Sequence, residues 1–246
     1  LFWRGGSVWI GHAEEETGFH AHHAIQVALP LSGGAVRFRC PGADWTNYAA
    51  AIIAANQSHA FEARGELVAM IFSEPESREG RVLRERYREG VAPLASADFS
   101  DEAAALAAAY KEGAADEELA ARARALIARL TSIQALPLRP LDKRIERAIE
   151  VLRGRLGESI AMTEIADAVH LSAERFRHLF LHETGVRFRP YVLWLRLEIA
   201  VASYAAGSSL TEAAHAGGFA DSAHFSRTFK RMFGVQAIGV RPVRRA

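Results

Sequence analysis

Two stretches of the chain place residues able to do chemistry at informative spacings. In the first, His20 and His22 are separated by one residue, and Gln26 follows. If this stretch is a β-strand, side chains alternate between faces and both imidazoles point the same way. Neutral imidazoles suit zinc, iron, copper or nickel. A plainer reading stands beside it: polar residues inside a fold, hydrogen-bonding one another or an organic ligand. In the second stretch, Phe225, Phe229, Met232 and Phe233 recur at helical spacing and mark a buried face. The opposite face carries Ser222, Ala223, Ser226, Arg227 and Lys230, which are small, polar or basic. An arginine on such a face can bond guanine in bidentate fashion. No Ser-His-Asp arrangement or phosphate-cradling glycine loop accompanies either stretch.

The elements that must position the second set are legible. Leu210 to Gly234 reads as helix, tight turn, helix. Leu210, Ala213, Ala214 and Phe219 give the first helix and turn an apolar underside. Gly217-Gly218 supply the backbone freedom of a sharp turn, and Asp221 sits where an N-cap belongs. A buried helix supporting an exposed one is a helix-turn-helix layout. The unit occurs twice. At an offset of 48, Thr163-Glu164 meets Thr211-Glu212, Ala166 meets Ala214 and Leu171 meets Phe219. At an offset of 49, Ser172 meets Asp221, Phe176 meets Phe225, Phe180 meets Phe229 and Gly185-Val186 meets Gly234-Val235. The agreement falls on buried and capping positions, as two copies of one fold require. In the first copy Phe176, Leu179 and Phe180 bury, leaving Glu174, Arg175, Arg177, His178 and Leu181 outward. A helix from Pro190 to about Ala206 joins the copies through Trp194, Leu195, Leu197, Ile199 and Val201, and Asp142 to Leu156 precedes them.

On these residues the segment Arg144 to Arg241 resembles the DNA-binding domain of the AraC/XylS family of bacterial transcription regulators. The run Gly218 to Gly234 is very close to the signature of that family. Two departures are Ala237, where proline is usual, and His170, where glycine is common. The resemblance implies base contacts from Glu174, Arg177 and His178 in the first copy and from Ser222, Ala223 and Arg227 in the second. Arg227 could instead pair with Glu198 or Asp221 inside the domain. Lys230, Arg187, Arg189, Arg241, Arg244 and Arg245 suit phosphate contacts, which add affinity without sequence preference. Two such helices enter successive major-groove segments about 34 Å apart.

The first 72 residues read differently. Short β-type runs at Val8 to Ile10, Ala24 to Leu29, Ala35 to Arg39, Ala51 to Ala54 and Leu67 to Phe72 are broken by turns. Such spacing predicts a small barrel or double-sheet jelly roll. His20, His22, Gln26 and Gly33 resemble the first motif of cupin barrels, and Asn56 to His59 the second. The resemblance implies an effector pocket at His20, His22, Gln26 and His59, and in metal-binding cupins a divalent metal on the three histidines. Here Gln26 replaces the carboxylate. No obligatory cofactor is expected. The family commonly carries a cupin-like sensing domain in this position.

Arg78 to Glu89 alternates basic and acidic residues and reads as an exposed charged helix, and Gly90 to Ser100 as a loop. Asp101 to Gly113 and Asp116 to Leu136 are alanine-rich helices. The stripe Leu119, Ala123, Leu126, Leu130 and Ile133 must pack on its own barrel or on the same helix of a second chain, and the resemblance favours the dimer. Pro137-Leu138-Arg139-Pro140 breaks the helix.

Composition bounds the rest. The chain has 246 residues, half of them hydrophobic, and a formal net charge of +1. That balance hides an asymmetry: from Arg139 onward there are 17 Lys+Arg against 11 Asp+Glu, and before it 13 against 18. A basic second half suits a polyanion. The single Cys40 excludes an intrachain disulfide and fits a reducing cytosol. No run is apolar enough to span a bilayer. The expected architecture is α+β: a cupin-like barrel over 1–98, linker and dimerisation helices over 99–137, and an all-α double helix-turn-helix domain over 138–246. The expected function is a cytoplasmic, sequence-specific regulator rather than an enzyme. Its partners would be double-stranded DNA, a small-molecule effector, RNA polymerase and a second copy of itself. The alternative is a metal-dependent cupin enzyme with a helical appendage.

Overall fold

The structure is a computed structural model that describes residues 1–132 and 139–237. Ile133, Pro137, Leu138, Arg241, Arg244 and Arg245 lie outside the described residues. Contacts divide the chain into two units, Leu1–Leu138 and Arg139–Arg244.

Among the described residues the N-terminal unit contains nine strands: β1 (Phe2–Trp3), β2 (Gly6–His12), β3 (Ile25–Pro30), β4 (Val36–Arg39), β5 (Thr46–Tyr48), β6 (Ala51–Ile53), β7 (Ala60–Glu62), β8 (Leu67–Ser73) and β9 (Val91–Pro93). They form two antiparallel sheets, one ordered β1-β2-β8-β3-β6-β9 and one ordered β5-β4-β7. Alternation along the strands decides what each face meets. Ile25, Val27, Leu29, Ile52, Ala69 and Ile71 share a core with the helices of this unit. Ala28, Ala51, Ile53 and Val68 share a second core with Val36, Phe38 and Phe61 of the smaller sheet. The large sheet is therefore buried on both faces, and its central strands read as nearly continuous apolar runs. The short strands β5, β7 and β9 carry no such run. The segment expected as a loop after Gly90 adds β9 at the sheet edge, where Pro93 costs no ladder bond.

Three helices complete this unit: α1 (Arg78–Arg86), α2 (Ser100–Lys111) and α3 (Asp116–Ser132). Ser77 caps α1 by accepting from the Gly80 N–H. The helix is not simply a solvated charged face. Leu83 is fully buried, and a Cβ at Gly80 would collide with the Glu74 carbonyl oxygen. The α3 stripe corrects the expectation of a dimer seam. Leu119, Ala123, Leu126 and Leu130 are buried in the core that contains β3 and β8. The outer face of the large sheet needs a cover, and α2 and α3 supply it within one chain.

Among its described residues the C-terminal unit is all helical: α4 (Lys143–Gly154), α5 (Met162–Ala168), α6 (Ala173–Thr184), α7 (Phe188–Ala205), α8 (Leu210–Ala216) and α9 (Ser222–Phe233). The duplication appears in the helix bounds. α5 and α8 match at an offset of 48, and α6 and α9 at 49. The extra residue therefore sits in the second turn. Asp142, Ser172, Ser209 and Asp221 cap the helices that follow them, Ser209 through a capping box with Glu212. Gly185 and Gly234 end α6 and α9 in left-handed conformation. α7 begins at Phe188, two residues before the expected start. Pro190 still falls within its first turn, where an N–H has no intrahelical partner. Ile199, expected to anchor, is 37% exposed.

The two turns explain the glycines and the one departure from them. His170 and Gly218 correspond, and both have positive φ, 56° and 69°. Gly217 has ordinary φ but no room: a Cβ there would lie 2.5 Å from the Arg196 carbonyl oxygen and 2.8 Å from the Ala200 Cβ. Gly217 thus lets α8 lie close on α7. We expect His170→Gly to raise stability by about 0.5–1 kcal/mol, because a left-handed residue with a Cβ is strained. Gly217→Ala should lower it by about 1–3 kcal/mol through overpacking. Chemical denaturation of the two variants checks both signs.

Candidate functional site

The exposed face of α6 presents Glu174, Arg175, Arg177, His178 and Leu181, while Phe176 and Phe180 are buried. Leu179, expected to bury, is half-buried. On α9, Ala223, Arg227 and Lys230 are exposed and Ser222 is half-buried, over a buried side of Phe225, Phe229, Met232 and Phe233. Residues three and four apart on a helix share a face, so each set forms one continuous strip. Glu174 lies 3.7 Å from Arg177 and 3.9 Å from His178, contacts between exposed groups that cost little to break. Arg227 makes no ion pair among the described residues; Glu198 meets Arg153 instead, at 3.8 Å. Asp221 accepts from the His224 N–H at 2.6 Å, and the His224 ring packs edge-on against Phe219. Arg187 and Arg189 are exposed at the start of α7. Arg231, four residues after Arg227 and exposed in the last turn of α9, extends the same strip.

Both strips are held by α7. Phe188 packs on Phe176 and Phe180 with ring centroids 5.9 and 5.6 Å apart, and Tyr191 meets Phe180 edge-on at 5.1 Å. One turn further on, Trp194 faces Phe233 of α9 at 6.2 Å. Arg196 ties the helix to the segment after α4, donating to the Leu156 and Glu158 carbonyls at 3.1 and 2.6 Å. The same Leu156 carbonyl closes over Gly218, where a Cβ would come within 2.6 Å.

In the N-terminal unit, His20, His22 and His59 converge, with one ring nitrogen of each within 4.8 Å of the others. The expected strand alternation is not what aligns them. Residues 21–24 form no strand; His20 instead makes an isolated antiparallel bridge to His59, and the His22 carbonyl accepts from the Asn56 N–H at 2.8 Å. The turn before His59 places Asn56 at φ 58°, a conformation asparagine tolerates. Each ring is fixed by its own neighbourhood. Nδ1 of His20, His22 and His59 lies 2.8, 2.8 and 2.9 Å from the carbonyls of Gly18, Ala24 and Gln57. A carbonyl only accepts, so the neutral rings of His20 and His59 carry their proton on Nδ1 and leave Nε2 as a lone pair. His22 faces an acceptor at its other nitrogen as well, since Gln26 Oε1 lies 2.8 Å from Nε2 while the Gln26 amide N–H donates to Met70 Sδ. His59 Nε2 is buried without a hydrogen-bond partner, an omission worth about 1–3 kcal/mol when nothing fills it. Phe38 and Phe72 wall the cluster against His59 and His22. His23 points elsewhere, to the buried Glu76 carboxylate at 2.8 Å. These residues fit a divalent metal in kind, as three neutral imidazoles brought together, with carbonyls fixing the tautomers of His20 and His59. Beside them Phe19 is 49% exposed under the Arg39 guanidinium, which also stacks on Trp45. The outward alternation of Arg37 and Arg39 on β4 was the signal for that surface.

Comparison with known proteins bears on the fold and on the C-terminal unit. Residues 165–241 match a family model described as a helix-turn-helix domain. A stretch of 96 residues, 39% of this chain, is 34% identical to YidL of Escherichia coli (strain K12), described as an uncharacterized HTH-type transcriptional regulator. That match spans 32% of YidL, about a third of its length. The fold is similar to that of ToxT from Vibrio cholerae O395, with a TM-score of 0.62 and 13% identity over 98% of this chain and 100% of that one. A ToxT structure bound to (E)-4-(8-methylnaphthalen-1-yl)but-3-enoic acid gives a TM-score of 0.60 and 15% identity, over 94% and 95% of the two chains. The C-terminal unit is thus of the helix-turn-helix class. It sits on an α+β chain with a ToxT-like fold.

Burial holds the histidine cluster neutral. It lowers His22 to about 4 and His59 to about 2, with the neighbouring imidazoles adding to both shifts, and it lowers His20 as well. The unfolded chain takes up these protons near 6.5. Stability from the cluster is therefore complete above about pH 6.5 and is lost as pH falls below it. For His22 alone the loss by pH 4 is about 3 kcal/mol. Melting of the chelator-treated chain followed from pH 7.5 to pH 4 should show this fall, and His22→Gln should flatten it.

Proposed function

We propose that this chain is a sequence-specific DNA-binding regulator of transcription, governed by a small-molecule effector in its N-terminal unit. The observation that carries the reading is the pair of exposed strips on α6 and α9, each backed by buried aromatics and both anchored to α7. In this reading Arg177 and Arg227 bond guanine, Glu174 accepts from cytosine, and Ala223 offers a methyl contact. Glu174 must then exchange Arg177 and His178 for DNA. Arg175, His178 and Ser222 border the same groove, and Lys230, Arg187, Arg189 and Arg231 neutralise phosphates.

The division of labour follows the sequence reading: effector domain over 1–98, linker helices over 99–137, DNA-binding domain over 138–246. The ToxT-like fold supports an effector site, since one ToxT structure is bound to a small organic acid. The cupin-like motifs support a site at His20, His22, Gln26 and His59, and Gln26 in place of a carboxylate counts against turnover. Among the described residues no helix is long and apolar enough to cross a membrane. A cytoplasmic regulator that meets RNA polymerase accords with the helix-turn-helix match. Since the α3 stripe is buried in its own chain, a homodimer would form through other surfaces.

Selection of bound fragments from genomic DNA tests the reading. It should return duplexes with two half-sites about one helical turn apart. On the selected site Arg227→Ala should cost about 1–3 kcal/mol, and far less on random duplex. Equal losses on both would remove Arg227 from base reading.

A further inference from the structure

We propose that Glu183 is a positioning residue for DNA reading: its buried carboxylate ties the end of α6 to the start of α4, and so couples the first reading helix, but not the second, to the segment that enters the unit. The DNA half of this rests on the regulator reading; the tie itself does not. The argument begins with a charge in an unfavourable place. Glu183 lies in the last turn of α6 and is 8% exposed. A carboxylate there faces the negative end of the helix dipole, and burial adds a desolvation penalty. Such a group persists where specific partners hold it. The Asp142 backbone N–H donates to Oε2 at 3.1 Å, His182 Nδ1 lies 3.2 Å from Oε1, and the Arg139 guanidinium stands 4.0 Å from the same oxygen.

The second copy of the unit is an internal control. At the offset of 49 that matches α6 to α9, Glu183 meets Met232, which is also buried. The helix-turn-helix packing therefore accepts an apolar side chain at this position and needs no carboxylate. What differs is the chain that arrives beside it. Asp142 caps α4 by accepting from the Arg144 N–H at 2.9 Å. In a capping box, the residue three positions after the cap accepts the N–H of the cap in return. Ser209 and Glu212 complete such a box on α8, where the Ser209 N–H donates to Glu212 at 2.7 Å. On α4 the third position is Ile145, whose side chain has no acceptor. Glu183 supplies the missing acceptor from another helix. The start of α4 is thus completed only when the end of α6 is in place. A shift of residues 139–142 passes to α6 through this carboxylate, whereas α9, with Met232 at the matching point, has no carboxylate to receive it.

The test uses the full chain and the duplex recovered by selection, beside two derivatives in which one half-site or the other is scrambled. Arg227→Ala identifies the half-site that α9 reads. Glu183→Met, shown to be folded by circular dichroism, should lower discrimination at the other half-site by roughly tenfold and leave that at the α9 half-site unchanged. Glu183→Gln keeps an oxygen able to accept from the Asp142 N–H and should retain most of the discrimination. Equal losses at both half-sites would reduce Glu183 to general stability, and no loss at either would remove it from reading; both outcomes overturn the positioning role. A second arm needs no DNA. Amide hydrogen exchange in the free chain should quicken by roughly tenfold over residues 142–146 in Glu183→Met and stay level over α9. An unchanged rate over residues 142–146 would overturn the tie itself. Failure of wild type to select any duplex would sink the regulator reading, while the exchange measurement would still decide whether α4 and α6 are coupled.

Discussion

The packing of α7 against both halves of the duplicated unit is the constraint on which the C-terminal structure depends. Phe188 and Tyr191 hold α6, and Trp194 holds α9, within two turns of one helix. Aromatic pairs in these tilted and edge-on geometries contribute about 0.5–1.5 kcal/mol each beyond their buried area. At Gly217 the backbones of α7 and α8 touch, which removes the slack a side chain would introduce. The Leu156 carbonyl adds a third tie, shared between Arg196 and the turn at Gly218. Two recognition strips anchored to one rigid helix cannot shift independently without breaking several of these contacts. In the proposed function, that rigidity turns two weak surfaces into one instrument with a fixed spacing.

The N-terminal unit obeys a different rule. Its large sheet is buried on both faces, by the small sheet on one side and by α1, α2 and α3 on the other. Most of its interior is thus committed to packing. The histidine cluster is an exception, a polar site enclosed by aromatic walls and aligned by backbone carbonyls two residues away from each ring. Burial that keeps these imidazoles neutral also makes them competent ligands.

Much of this was legible because the informative residues were caps, glycines and buried aromatics. Ser172 and Asp221 mark where α6 and α9 begin, and the 48 and 49 offsets in the sequence reappear in the helix bounds. These signals are local, and local signals survive without tertiary context. Other features were not local. β5, β7 and β9 are three residues each and exist because neighbouring strands pair with them. The α3 stripe has the pattern of a seam, but pattern alone does not say whether a sheet or a second helix fills it. His20 and His22 converge through a bridge to His59, a pairing across 39 residues that alternation along a strand does not encode. The departure at His170 became intelligible only with its positive φ.

A spacing series on duplex DNA tests the central claim most directly: α7 fixes the two reading helices at one separation. Half-sites recovered by selection would be moved apart in single base-pair steps and affinity measured at each. Affinity should collapse by roughly a hundredfold when half a helical turn is inserted, since one strip then faces the wrong side of the duplex. Affinity that stays level across the series would mean that the two strips read DNA independently, and the account of a rigid pair would fail.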